Sequence, residues 1–533
     1  KNKKGVSMRK IEIFDTTLRD GAQARGISFS VEDKLAITEV LDDMGIAFIE
    51  AGNPGSNPKD LEFFEKVSEL DLKNSKLVAF GSTRRKGIKP EEDQNLQSLL
   101  KANTEYVTIF GKTWDFHVTD IIKTSLEENL EMIEDTVEYL ISKGKEVIFD
   151  AEHFFDGYKN NPEYAVEGLL AAAKGGSETL VLCDTNGGCF PEEIEKITRN
   201  VLHKVMLEYP RIKIGIHVHN DMSFAVINSI KAVEAGATHI QGTLIGFGER
   251  CGNANLSTII ANLQLKKGIK ILEEEKIEQL TQFSRAVAEI ANITIDDGMP
   301  YVGQNAFAHK GGMHIDGVTK ASHSFEHISP TKVGNEREFL LSEVSGRTTI
   351  LEEIQKVDSS INRDSKETKE IIERLKELEY KGYQFEGAKA TFELVIRKYL
   401  GKHNNFFELI YFDVKGNYQG SEYHSVAIVK LKVGGEIKLT VAEGDGPVNA
   451  LDTALRQALQ GFYPQLNSMK LIDYKVRVLK GLESATASKV RVLIETTDGK
   501  NIWNTIGVST DIIEASWIAL VDSIEYLLIK SKV

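Results

Sequence analysis

One alternation constrains this chain more than any other feature. Short runs rich in Val, Ile and Phe, bounded by Gly, Asp or Asn, recur eight times, with helical spacing between them. They lie at residues 11–17 (IEIFDTT), 47–52 (AFIEAG), 77–81 (LVAFG), 106–111 (YVTIFG), 146–152 (EVIFDAE), 179–185 (TLVLCDT), 213–219 (KIGIHVH) and 239–244 (HIQGTL). Between them Val31, Leu35, Leu41 and Met44 form one apolar stripe, and Leu126, Leu130, Ile133, Val137 and Leu140 another. Strands that alternate with helices imply parallel β-α-β units. Eight units in about 250 residues predict a closed (β/α)8 TIM barrel, placed at residues 8–270. An open doubly wound sheet would carry a Gly-rich phosphate turn after its first strand, and this chain reads TTLRDGAQ there.

The pattern then changes twice. Residues 271–390 read as helical linker subdomains capping the active site, with Ile371, Ile372 and Leu375 as the apolar side of a charge-rich helix and one unusual segment, FAHKGGMHIDG, at 307–317. Residues 391–533 read as an α+β domain. Strands at 406–414, 423–433 and 436–442 precede a helix at 447–462, and strands at 471–479, 489–496 and 502–508 precede a helix at 512–528. Ala450, Ala454 and Leu455 stand 65 residues before Ala515, Ala519 and Leu520, so a βββα unit is duplicated. No catalytic cluster is evident in it, which suits a ligand-binding or dimerising domain.

Composition removes several function classes. The net charge is −14, and no Lys/Arg stripe offers a surface for nucleic acid. Cys183, Cys189 and Cys251 are too few for a disulfide framework and point to a reducing, cytoplasmic setting. No apolar run approaches the ~20 residues of a membrane span. Residues 1–7 are basic and polar, unlike a secretory signal, and Met8 reads as a native start.

The predicted strand ends are polar: Asp15, Glu50, Glu152, Asp184, His217 and His219 all fall there. In a barrel that rim carries the catalysis, although each group taken singly could be structural. His217 and His219 alternate on one strand and so share a face, which makes a metal half-site or simply a histidine pair. Asp20 follows the first strand, which neighbours the seventh in a closed barrel, and completes a set suited to Mg2+, Mn2+ or Zn2+. Open positions on such an ion suit the keto and carboxylate oxygens of a 2-oxo acid. Arg19 would stabilise oxyanion charge, or else pair with a rim carboxylate such as Glu50. Glu152 reads as a general base or as an orienting group. The loop GFGERCGNAN at 246–255 lets backbone approach a ligand and brings Asn253 towards the ion.

FDTTLRDGAQ (14–23), IHVHND (216–221) and GERCGNANL (248–256) resemble the signature motifs of the 2-isopropylmalate, homocitrate and citramalate synthase family. AEHFFDGY (151–158), CDTNGG (183–188), AHKGGMHIDG (308–317) and EGDGPVNALDTALR (443–456) extend the similarity over nearly the whole chain. With SEVSGR (342–347), they look most like its longer-chain, pyruvate-using citramalate synthase branch.

The resemblance implies a Claisen-type condensation of acetyl-CoA with a 2-oxo acid, followed by thioester hydrolysis. It implies Asp20, His217, His219 and Asn253 at the metal, and Arg19, Asp20 and Gln23 at the substrate. Gly246, Gly248, Glu249 and Arg250 are expected at acetyl-CoA, with Arg19, Glu152, His314 and Asp316 as catalytic groups. It further implies a homodimer and an amino-acid effector, isoleucine or, for a 2-isopropylmalate synthase acting on 2-oxoisovalerate, leucine. Homocitrate synthases and lyases of the hydroxymethylglutaryl-CoA type share the barrel and are the more distant alternatives. One position departs from the pattern: Phe325 stands where related synthases carry Tyr, so no phenol hydroxyl is available there.

Overall fold

The computed structural model describes residues 10–55, 57–310, 312–339, 347–362, 365–419, 422–479, 488–499 and 501–531. The Met8 start, most of the SEVSGR motif, Gly311 and the Asp316 side chain lie outside the described residues.

All eight expected strands are present: β1 (Glu12–Asp15), β2 (Phe48–Gly52), β3 (Lys76–Ser82), β4 (Tyr106–Lys112), β5 (Glu146–Glu152), β6 (Thr179–Asp184), β7 (Lys213–Val218) and β8 (His239–Gly242). They form a closed barrel in sequence order. Closure is made by β1 against β8, parallel, from Glu12↔His239 to Asp15↔Gly242. Both strands end earlier than their β-propensity suggests, because the chain turns into loops there. Thr16 N–H donates to the Gly242 carbonyl, and Thr243 N–H to the Ala254 carbonyl.

Period-two alternation divides each strand between two environments. Outward residues Ile13, Ile49, Ala79, Val107, Phe149, Leu182, Ile216 and Ile240 are buried against the surrounding helices. Inward residues stack in layers. Phe14, Phe48, Val78, Ile148 and Val181 make an apolar floor, with the His239 ring 5.2 Å from that of Phe14 and 5.8 Å from that of Phe48. Two residues further along, six of the eight strands turn polar, with Thr16, Glu50, Thr108, Asp150, His217 and Gln241 all buried, while β3 and β6 place Phe80 and Cys183 at that level.

The helices carry the expected stripes. Ser30 caps the helix Val31–Met44 in a capping box with Asp33, and Ser125 caps Leu126–Ser142, which buries Ile133, Val137 and Leu140. Among the described residues, no helix is long and apolar enough to cross a membrane. The three cysteines are free.

The chain forms two compact units, residues 1–307 with 326–337, and residues 308–325 with 338–533. Segment 271–390 is therefore shared between them. In the second unit, helices Arg347–Val357, Lys366–Tyr380 and Lys389–Tyr399 enclose a small core that includes Ile371, Leu375, Phe385 and Phe392. Two antiparallel three-stranded sheets follow, each backed by a helix. Their strands are Phe407–Gln419, Glu422–Val433 and Glu436–Gly444, then Lys470–Val478, Val490–Thr497 and Ile502–Ser509. The duplication holds in detail. Ala450, Ala454 and Leu455 are fully buried, as are Ala515, Ala519 and Leu520. Thr440 donates to the Ala454 carbonyl at 2.8 Å, and Thr505, 65 residues on, to the Ala519 carbonyl at 2.8 Å.

Burial pushes the His239 imidazole down to about 3. The unfolded chain binds this proton near pH 6.5 and the folded chain refuses it, so His239 costs stability as pH falls below 6.5. The expected size is about 1.4 kcal/mol per pH unit. His239→Gln should lose less stability than the unsubstituted chain between pH 6.5 and 4.5, as read from the urea midpoint of barrel unfolding. Equal losses would show that His239 does not stay neutral in the fold.

Candidate active site

The loop after β1 turns back over the barrel mouth and buries Asp20, which is 3% exposed. Asp20 Oδ2 lies 3.2 Å from His217 Nε2 and 3.6 Å from His219 Nε2. The three side chains present ligand atoms that all lie within 4.8 Å of one another. Asn253 Nδ2 donates to the same Asp20 oxygen at 2.8 Å. Asn253 Oδ1 and His219 Nδ1 are buried without a hydrogen-bond partner. A buried carboxylate, two imidazoles and an unmatched amide oxygen fit the donor set of a divalent cation, and the site is read as a metal site.

Electrostatics separate the two histidines. Burial opposes a charge on His217, but its hydrogen bond to Asp20 and the charges of Asp20 and Asp150 raise its proton affinity. Burial and the neighbouring His217 push His219 down to about 4, so its lone pair is free at neutral pH. Burial likewise opposes ionisation of Asp20, yet Arg19 and both imidazoles hold its carboxyl well below the usual range.

Arg19 is fixed from two sides. Its Nε donates to Glu50 Oε2 at 2.7 Å, and its guanidinium carbon sits 3.8 Å from the centre of the Phe80 ring. Thr16 donates to the same Glu50 oxygen at 2.6 Å. Phe80 in turn stacks on Phe110, centroids 5.3 Å apart. Glu152 ends β5 in an ion pair with Lys112 from the end of β4.

The six polar strand ends divide by parity. Glu50, Glu152, His217 and His219 continue the inward rows of their strands, whereas Asp15 and Asp184 sit one residue out of step. Asp15 accepts from Thr17 N–H and Thr17 Oγ1, and Asp184 from the N–H groups of Gly188 and Cys189. These two brace loops instead of facing the mouth.

The loop after β8 zips across the end of β7, pairing Asn253 with His219 in an isolated bridge. Gly248 makes this approach possible, since a Cβ there would stand 1.8 Å from Asn253 Oδ1. Gly246 adopts φ +83°, and Arg250 adopts φ +55°. The Arg250 guanidinium is held by Asp221 at 2.8 Å and by the Thr185 carbonyl, while Glu249 lies beside it. Gln23 is exposed in the turn Gly21–Gln23. In the second unit His314 is exposed, and its ring stacks on Phe325 with centroids 4.3 Å apart. A Cβ at Gly317 would stand 2.5 Å from the Phe325 ring. The phenylalanine thus packs on His314 at the position where a hydroxyl is lacking.

Sequence reasoning did not single out Phe80, Phe110, Lys112, Asp150 or Gln241. The signal was available: each continues the inward alternation of its strand towards the mouth.

Residues 10–287 match the HMGL-like family, residues 301–382 the homocitrate synthase post-HMGL domain-like family, and residues 386–528 the LeuA allosteric (dimerisation) domain. A barrel with a buried Asp-His-His set, joined to a domain of that kind, defines the class. The chain is 52% identical to the (R)-citramalate synthase of Aquifex aeolicus over 98% of each chain. It is 49% identical to that of Geobacter sulfurreducens over 98% of this chain and 99% of the relative. It is 31% identical to a probable 2-isopropylmalate synthase of Methanopyrus kandleri over 97% of this chain and 98% of the relative. The chain belongs to the HMGL-like family and, within it, to the (R)-citramalate synthases.

Replacing Asp20 or His217 by Ala removes one of three converging donors and should abolish metal-dependent turnover while leaving the far-ultraviolet circular dichroism unchanged. Full turnover in either variant would refute the assignment of these side chains.

Proposed function

We propose that this chain condenses acetyl-CoA with pyruvate and hydrolyses the thioester, giving (R)-citramalate and CoA. The observation that carries the reading is 52% identity spanning 98% of both chains, together with the intact Asp20, His217 and His219 set. We place the reaction in cytoplasmic isoleucine biosynthesis, under feedback control through the C-terminal domain at residues 391–533.

A divalent ion, Mg2+, Mn2+ or Zn2+, held by Asp20, His217 and His219 with Asn253 beside them, would supply Lewis acidity towards the keto and carboxylate oxygens of pyruvate. Arg19 orients the keto group and offsets the negative charge that grows on its oxygen as the new bond forms. Glu152, His314 and Asp316 take part in removing the methyl proton of acetyl-CoA. The acetyl methyl carbon bonds to the keto carbon, and water then cleaves the thioester to release CoA. Gln23 contacts the oxo acid, and Gly246, Gly248, Glu249 and Arg250 contact acetyl-CoA.

Residues 391–533 are proposed to bind the effector isoleucine and to dimerise. Ile437, Leu439 and Val441 are each more than half exposed on one strand, and Ile502, the counterpart of Ile437 in the duplicated unit, is 64% exposed. Such an apolar face suits a second copy of the chain. A cleft of about 630 Å3, lined by Asp452, Arg456, Met469, Lys470 and Tyr474 among others, offers both charge signs and apolar walls for an amino acid.

CoA thiol release should be measured with a divalent metal across pyruvate, 2-oxobutyrate, 2-oxoisovalerate and 2-oxoglutarate. Pyruvate should give the highest kcat/KM. A preference for 2-oxoisovalerate would move the chain to the 2-isopropylmalate reaction with leucine as effector, and no release with any acid would refute the synthase reading. Phe80 and Phe110 stack beside Arg19, and we propose that they wall the space for the oxo-acid side chain. Each methylene admitted is worth about 1–3 kcal/mol. Phe110→Ala should therefore raise kcat/KM for 2-oxobutyrate relative to pyruvate by roughly tenfold or more, and an unchanged ratio would remove Phe110 from the specificity wall.

A further inference from the structure

One buried network lies beneath the metal-site residues and has no part in the chemistry described above. Gln241, on β8, is fully buried at the level of His217 on β7 and Asp150 on β5. Its Oε1 lies 2.9 Å from His217 Nδ1, and its Nε2 donates to Asp150 Oδ1 at 3.0 Å. An amide has one accepting and one donating end. Asp150 offers oxygens, so the NH2 end turns to it and the carbonyl end turns to His217. That carbonyl can only accept, so Nδ1 carries the imidazole proton. Nε2, the atom 3.2 Å from Asp20, is thereby the nitrogen left to face an ion at that site.

We propose that Asp150 and Gln241 are positioning residues that fix the tautomer and ring orientation of His217, so that its Nε2 serves as the metal ligand. Turning the amide over would set its carbonyl against the Asp150 oxygens and its NH2 against His217 Nδ1. Asp150 therefore acts on the metal site without touching it. Carboxylate or amide partners behind a ligating imidazole typically contribute 10- to 100-fold in metal affinity. The inference rests on the metal-site reading given above.

The test is Mn2+ binding to the full chain, followed by electron paramagnetic resonance of free Mn2+ and by calorimetry, with folding checked by circular dichroism. Asp150→Asn should weaken Mn2+ roughly 10- to 100-fold, because the amide loses its fixed direction, and Gln241→Leu should do at least as much. Gln241→Glu alone sets two carboxylates together and should also weaken binding. Adding Asp150→Asn to it restores one carboxylate and one amide in reversed order, with the carboxylate now accepting from His217, and should return the affinity to within a few-fold of the starting protein. A role in packing alone would not give that rescue. Loss of binding in His217→Ala with unchanged binding in folded Asp150→Asn and Gln241→Leu would overturn this inference and leave the metal site standing. Absence of Mn2+ binding, or binding indifferent to His217→Ala, would overturn both.

Discussion

Closure of the barrel between β1 and β8 is the constraint on which the site depends. The pairing from Glu12↔His239 to Asp15↔Gly242 fixes the height at which the chain leaves β1. The next residues must then turn inward over the mouth, and Asp20 arrives beside histidines almost two hundred positions later in sequence. The contact is sealed from the other side by Asn253, whose amide reaches Asp20 across 233 positions. An open sheet would separate its first and last strands and could not assemble these groups.

Alternation along the strands then decides what each level of the interior does. The floor is apolar, and it packs as a core instead of leaving a pore. The level above holds ionisable and amide groups that would be costly to bury alone. They are carried as two connected networks. Thr16 and Arg19 converge on Glu50, while Gln241 links Asp150 to His217. Each network ends on a group at the mouth, so the same hydrogen bonds that make burial tolerable also fix the side chains that line it.

Much of this was legible in the sequence, and the reason is periodicity. Eight β-rich runs and intervening helical stripes identified the barrel, and the HxH spacing on one strand put His217 and His219 on one face. The 65-residue offset revealed the duplicated unit, whose two threonine-to-helix hydrogen bonds repeat at the same offset. What remained illegible depends on parity and on three-dimensional neighbours. Asp15 and Asp184 have the residue type of rim catalysts, but they stand one position out of the inward rows and hold loops. Asp150 and Gln241 lie deep in the interior rows, 91 positions apart, so that only the barrel makes them partners. Phe325 marked a missing hydroxyl in the sequence, and the structure adds what the ring does instead, which is to stack on His314.

The surroundings of Arg19 show why a guanidinium, not an ammonium, suits this position. A planar cation can stack on an aromatic face and donate in its own plane at the same time. Here the face is Phe80, and the in-plane acceptor is Glu50. The remaining N–H groups of the same plane stay available, and one lies 3.6 Å from Asp20 at the edge of the metal site. A lysine would have to choose between the ring and the carboxylate, and its three donors would rotate. Burial opposes the charge, but Glu50 and Asp20 more than offset that penalty and keep Arg19 protonated under all working conditions. The positive charge is thus set in place before any substrate arrives. In the proposed reaction no reorganisation is needed when negative charge develops on the keto oxygen, which is the circumstance in which a fixed cation lowers a barrier most.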